Sequence, residues 1–122
     1  MRVYLYIALG GALGASARYL LSGLAYQVLG GLFPWGTFLV NLLGSFALGW
    51  FYEAAVQSAM PPELRLFVAV GLLGAFTTFS TLSYEGYGLL REGQGLLALV
   101  YTAGSLVLGL LAVALGVWAA GR

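Results

Sequence analysis

The stretch GLLGAFTTFSTLSYEG, running from Gly71 to Gly86, decides how this chain is read. Up to Glu85 it belongs to a run without charged residues that begins after Arg65, yet it sets the hydroxyls of Thr77, Thr78, Ser80 and Thr81 around Phe79, shortly after Gly74. In a surface turn such a cluster would be ordinary. In hydrocarbon, each hydroxyl and each backbone group it loosens must find a partner inside the protein. The surrounding sequence decides which setting applies.

Working outward, the same scarcity of charge holds along all 122 residues, of which 61% are hydrophobic and 7% charged. A soluble domain carries about 25% charged residues. Nothing ionises between Arg18 and Glu53, or between Glu92 and Arg122. A helical span needs about 20 mainly apolar residues, so each gap holds one, and the opening stretch, interrupted only by Arg18, holds another. The expected helices are residues 3–29, Trp35–Gln57, 63–91 and Gly95–Ala120. Glycine pairs, prolines and short loops separate them, so neighbours are antiparallel. The expectation is one all-α, four-span integral membrane domain over residues 1–122, with a break in its third helix.

The chain has no Cys, His, Asp or Lys. Thiol chemistry, imidazole metal sites, Ser–His–Asp triads and lysine Schiff bases are therefore excluded, and an enzyme is not expected. A net charge of +1 supplies no basic patch for nucleic acid. The residues after Arg2, ending in Ala15-Ser16-Ala17, also look like a cleavable signal peptide. The apolar pattern continues through Tyr19-Leu20-Leu21 and beyond, which favours an uncleaved span. Four spans would put Arg2, Arg65 and Arg122 on one side and Arg91 on the other, a weak orientation bias.

Three groups of residues carry chemistry. Small residues at Gly10, Gly11, Gly14 and Ala15, and at Thr102, Ser105, Gly109, Ala112 and Gly116, have the spacing of close helix packing in lipid. Thr37, Asn41 and Ser45 form a polar stripe on the second helix. Its costly member, Asn41, is read either as an interhelical hydrogen bond or as a donor to an ion. Arg18 costs roughly 3 kcal/mol in mid-span. It either raises the potential of an aqueous vestibule or pairs with a carbonyl or a Glu. Hydroxyls from Thr77 to Thr81 that bond back to carbonyls and the glycine at Gly74 predict a non-helical break at Gly74 to Thr77, tolerated only where it is buried or lines a cavity. Freed carbonyls at such a half-helix end suit a small cation.

Three blocks, GGALGASARY (Gly10–Tyr19), PWGTFLVNLLGSFALG (Pro34–Gly49) and GAFTTFST (Gly74–Thr81), make the chain resemble the Fluc/CrcB family of fluoride channels over nearly its whole length. The resemblance implies an antiparallel, dual-topology homodimer, multi-pass in the inner membrane, with two fluoride pathways. It also implies a structural sodium ion on the backbone carbonyls of Gly74 and Thr77. By motif position the pathway falls on Asn41, Phe79, Ser80, Thr81, Leu82, Tyr101 and Ser105, with Arg18 in the vestibule. Leu82 stands where the motif has a second phenylalanine.

The residues suit that implication. Fluoride is strongly hydrated, so a pathway must replace its water with donors. Amide and hydroxyl groups are neutral donors, and an aromatic edge is electropositive. Passive fluoride export is the expected function. A small-multidrug-type proton-coupled transporter is one rival, but it needs a membrane-embedded carboxylate. A structural membrane subunit is the other, and it leaves Asn41 and the threonine break unexplained.

Overall fold

A computed structural model describes every residue from Met1 to Arg122. The chain forms α1 (Arg2–Leu29), α2 (Trp35–Gln57), α3 (Pro62–Arg65), a π-helix (Leu66–Leu73), α4 (Gly74–Phe76), α5 (Phe79–Arg91) and α6 (Gly95–Ala120). Four spans are long and apolar enough to cross a membrane, the third being Pro62–Arg91. Their ends match the expected ones to within a residue. α1 runs unbroken through Ala15-Ser16-Ala17. It stops where Gly30 and Gly31 take φ of 51° and 78°, values that side chains with a Cβ rarely adopt. Pro34 then caps α2 and Pro62 opens α3, positions where a missing N–H loses nothing.

Burial is the inverse of a soluble bundle. Leu5, Leu20, Leu24, Leu106, Leu110 and Leu115 face outward, while Gly10, Gly14, Gly44, Gly49, Ala98 and Gly116 lie inside. Lipid solvates leucine as well as a core would, so close backbone approach holds the spans together instead. A Cβ on Gly14 would collide with the Leu72 carbonyl and stand 3.0 Å from the Phe76 nitrogen. One on Gly71 would lie 2.7 Å from the Ile7 carbonyl oxygen. Between α2 and α6, Gly49 meets the Val113 carbonyl, and Gly116 meets the Phe46 carbonyl. The small-residue pattern is a set of packing seams.

α2 touches every other span and forms the centre of the bundle. The first half of the third span packs on α1, whereas α5 packs on α6. The break is thus the point at which one span changes neighbours.

Two features differ from the sequence expectation. Gly74 was expected to begin the departure from helix, but Gly74–Phe76 is helical and the break falls on Thr77 and Thr78. Thr77 (φ −87°, ψ 157°) and Thr78 (φ −150°, ψ 121°) are both extended, a conformation that β-branched residues favour. Ahead of the break, Leu66–Leu73 is a π-helix, and the Gly74 N–H donates to the carbonyls of both Ala69 and Gly71. π turns are often found beside functional sites. No periodicity in LFVAVGLL signals one.

Candidate functional site

Each extended residue at the break exposes backbone groups that a continuous helix would pair. Asn41, on central α2, takes up those of Thr78 on both sides. Its Nδ2 donates to the Thr78 carbonyl at 3.0 Å, and its Oδ1 accepts the Thr78 N–H at 2.8 Å. The interhelical reading of Asn41 is therefore correct in geometry, and one Nδ2 hydrogen remains uncommitted to this pair. The Thr77 hydroxyl donates back to the Leu73 carbonyl at 3.1 Å. The Thr78 hydroxyl caps α5 by accepting the Thr81 N–H at 3.2 Å. This is the N-cap geometry that starts a new helix.

Because the Thr78 N–H is spent on Asn41, the Gly74 carbonyl loses the partner that a helix would give it. The Ala75 carbonyl accepts from Arg18 Nε at 3.0 Å. Arg18 is half-buried at the break, and it lines none of the cavities described below. The carbonyl pairing, one of the two readings of this residue, is present.

Between the break, α2, α5 and α6 lies a cavity of about 540 Å³, lined by Asn41, Ser45, Thr77, Thr78, Phe79, Leu82, Ser83, Thr102, Ser105 and four α6 residues of small or apolar type. It contains amide and hydroxyl groups and no charged side chain. The Ser105 hydroxyl is buried and has no hydrogen-bond partner. A buried hydroxyl left in that state is costly, so it is free to donate into the cavity. Phe79 lines the cavity and is 80% exposed on the single chain.

The expected pathway residues divide. Asn41, Phe79, Leu82 and Ser105 come together at this cavity. Ser80 and Thr81 do not line it. Ser80 is exposed with its hydroxyl 3.4 Å from that of Thr78, and the Thr81 hydroxyl accepts from Thr78 at 3.0 Å. They sit on the neighbouring sides of α5's first turn because helical residues one and two apart do not share a face. Tyr101 is fully buried in a cluster with Leu89 and Ala98, against which Phe33, Phe38, Leu82 and Leu97 pack, and its ring meets that of Phe33 in a T-shaped contact at 5.4 Å. Its hydroxyl donates to Glu85 Oε1 at 2.8 Å.

Glu85 in turn lines a second cavity of about 350 Å³, with Glu92, Tyr26 and Trp35, near the α1–α2 turn. Sequence reasoning missed Ser83 and the cavity-facing role of Thr102. Their hydroxyls bond the carbonyls of Phe79 at 3.0 Å and Ala98 at 2.8 Å. The signal was available in spacing, since Ser83 is one turn past Phe79 and Thr102 one turn before Ser105.

Comparison with known proteins agrees with this geometry. The family model described as "CrcB-like protein, Camphor Resistance (CrcB)" matches residues 5–117. A protein of Thermus thermophilus is 52% identical over 116 residues, covering 95% of this chain and 93% of the relative. A protein of a Geobacter species is 48% identical over 121 residues, 98% of each chain. One of Aquifex aeolicus is 47% identical over 117 residues, 95% of this chain and 94% of the relative. All three are named fluoride-specific ion channel FluC. With a match of this extent around an intact threonine break and its Asn41 brace, the chain belongs to the CrcB-like family.

Proposed function

We propose that this protein is a fluoride-specific channel that lets cytoplasmic fluoride leave passively across the cell's inner membrane. The observation that carries the reading is the cavity at the break, which offers neutral donors from Asn41, Ser45 and Ser105 and no charged side chain. Neutral donors replace the water of a small anion without holding it as a fixed cation would. Phe79 adds an electropositive ring edge at the same place. Ser80, Thr81 and Tyr101 remain proposed pathway residues by motif position, although none of them lines this cavity. The names of the relatives point the same way.

The reading includes an antiparallel homodimer with protomers inserted in opposite senses. Exposed Phe79 beside an open cavity supports it, since a partner copy would cover both. A structural sodium ion completes the proposal. The donor set fits a hard cation that prefers oxygen: the Gly74 carbonyl has lost its helical partner, and the Thr77 carbonyl follows within the same broken turn. Those two carbonyls would hold it, and the ion would supply fixed positive charge beside the break. The proton-coupled transporter is disfavoured because the cavity at Asn41 has no carboxylate, and Glu85 is engaged by Tyr101.

Liposomes holding the purified protein test the function. Fluoride-loaded vesicles should empty rapidly and chloride-loaded ones should not, whereas equal efflux of both removes the selective-channel reading. Single cysteines at either terminus, the chain having none of its own, should label from both membrane sides. Labelling from one side only removes the antiparallel dimer.

A further inference from the structure

An α-helix ends with four carbonyls lacking intrahelical partners. At the end of α4 the Leu73 carbonyl is taken by both the N–H and the hydroxyl of Thr77. The next but one, that of Ala75, is taken by Arg18 Nε at 3.0 Å. Arg18 continues the α1 face that carries Gly10 and Gly14, at successive spacings of four. At both glycines the α1 backbone lies directly on residues 67–76 of the third span. That approach brings the guanidinium within reach of the broken end. The end of a helix is the negative pole of its dipole, where a cation is favoured.

We propose that Arg18 is a positioning residue for the break. It holds the end of α4 against α1 through the Ala75 carbonyl, and so fixes where Thr77 and Thr78 stand beside the cavity. This role differs from lining a vestibule and setting its potential. A guanidinium suits it because the Nε–H is a fixed, directional donor close to the stem of the side chain, whereas lysine offers a mobile, strongly hydrated point charge. Its efflux arm rests on the channel reading above, and its exchange arm does not.

The test compares Arg18→Gln and Arg18→Lys with the parent by backbone hydrogen exchange in lipid nanodiscs and by fluoride efflux from liposomes. If Arg18 positions the break, Arg18→Gln should speed exchange in the 73–83 segment at least about tenfold, the lower end of what losing a hydrogen bond to a charged group produces. Peptides from α2 and α6 should not change. Arg18→Lys keeps the charge and should recover efflux only in part, with exchange still raised.

Two results overturn the proposal. One is unchanged exchange in either variant. The other is full recovery by lysine together with an Arg18→Gln deficit that shrinks as salt screens the field. If Arg18→Gln does not insert, exchange in Arg18→Lys decides alone: raised supports the clamp, unchanged refutes it. If the parent itself passes no fluoride, the channel reading fails while the exchange comparison still stands.

Discussion

Replacing Asn41 with leucine keeps the side chain's bulk and removes both of its bonds to Thr78. In the folded chain these are a 3.0 Å donor contact to the carbonyl and a 2.8 Å acceptor contact from the N–H. Interhelical hydrogen bonds in membranes average only about 0.6 kcal/mol, because the separated helices find other partners. Two such bonds would give roughly 1 kcal/mol on that average. The Thr78 groups differ from that average, since both residues of the break are extended and no neighbouring turn can take them over. Leaving a buried backbone group unpaired costs about 1–3 kcal/mol. For two groups at a partly water-accessible cavity the expected loss is about 2–4 kcal/mol. Unfolding in mixed micelles by rising SDS, followed by circular dichroism, measures it. Fluoride efflux from the variant should fall by at least about 100-fold, equivalent to roughly 2.7 kcal/mol in barrier. A stability change under about 1 kcal/mol with efflux at the parent rate would refute the idea that Asn41 braces the break.

Other outcomes follow from the same geometry. Ser105→Ala removes a buried hydroxyl that has no partner, so stability should hold or rise slightly while efflux falls about tenfold; a loss of stability in the micelle titration would mean the hydroxyl has a structural partner. Phe79→Ile should abolish efflux and leave the assembly intact on size-exclusion chromatography, whereas Leu82→Phe should stay within about tenfold of the parent, a barrier change of roughly 1.4 kcal/mol. Efflux near the parent rate in Phe79→Ile would remove the ring edge from the mechanism. Gly44→Ala drives a Cβ into the Thr77 methyl and to 3.1 Å from the Phe76 ring, so it should destabilise by about 1–3 kcal/mol. Gly23→Ala meets nothing within 4 Å and should be neutral or stabilising by up to about 1 kcal/mol; equal effects at the two sites would deny that packing room decides them.

Much of this protein was legible from residue order alone. Long runs without charge define four spans whatever their neighbours do, because an unpaired charge in hydrocarbon is too costly to place casually. Gly30-Gly31, Pro34 and Pro61-Pro62 punctuate them through local backbone sterics, which need no tertiary information. The hydroxyls after Gly74 announced a break for the same local reason.

Other features required the fold, because they arise from contacts between segments far apart in the chain. Asn41 meets Thr78 across 37 positions, and Arg18 meets Ala75 across 57. Whether the stripe on α2 braced a backbone or faced an ion could not be read from its spacing, which is the same in both cases. The restriction of the break to Thr77 and Thr78, one residue beyond the expected Gly74-to-Thr77 segment, came with partners supplied by α2. The π-helix Leu66–Leu73 is laid against the α1 glycine face, and its apolar sequence is as compatible with an ordinary α-helix. Tyr101 and Ser105 lie one turn apart on α6, yet one is closed into a cluster with Leu89 and Ala98 and the other opens on the cavity. Sequence fixes which residues share a helical face; only the packing of α2 and α5 against α6 decides what that face meets.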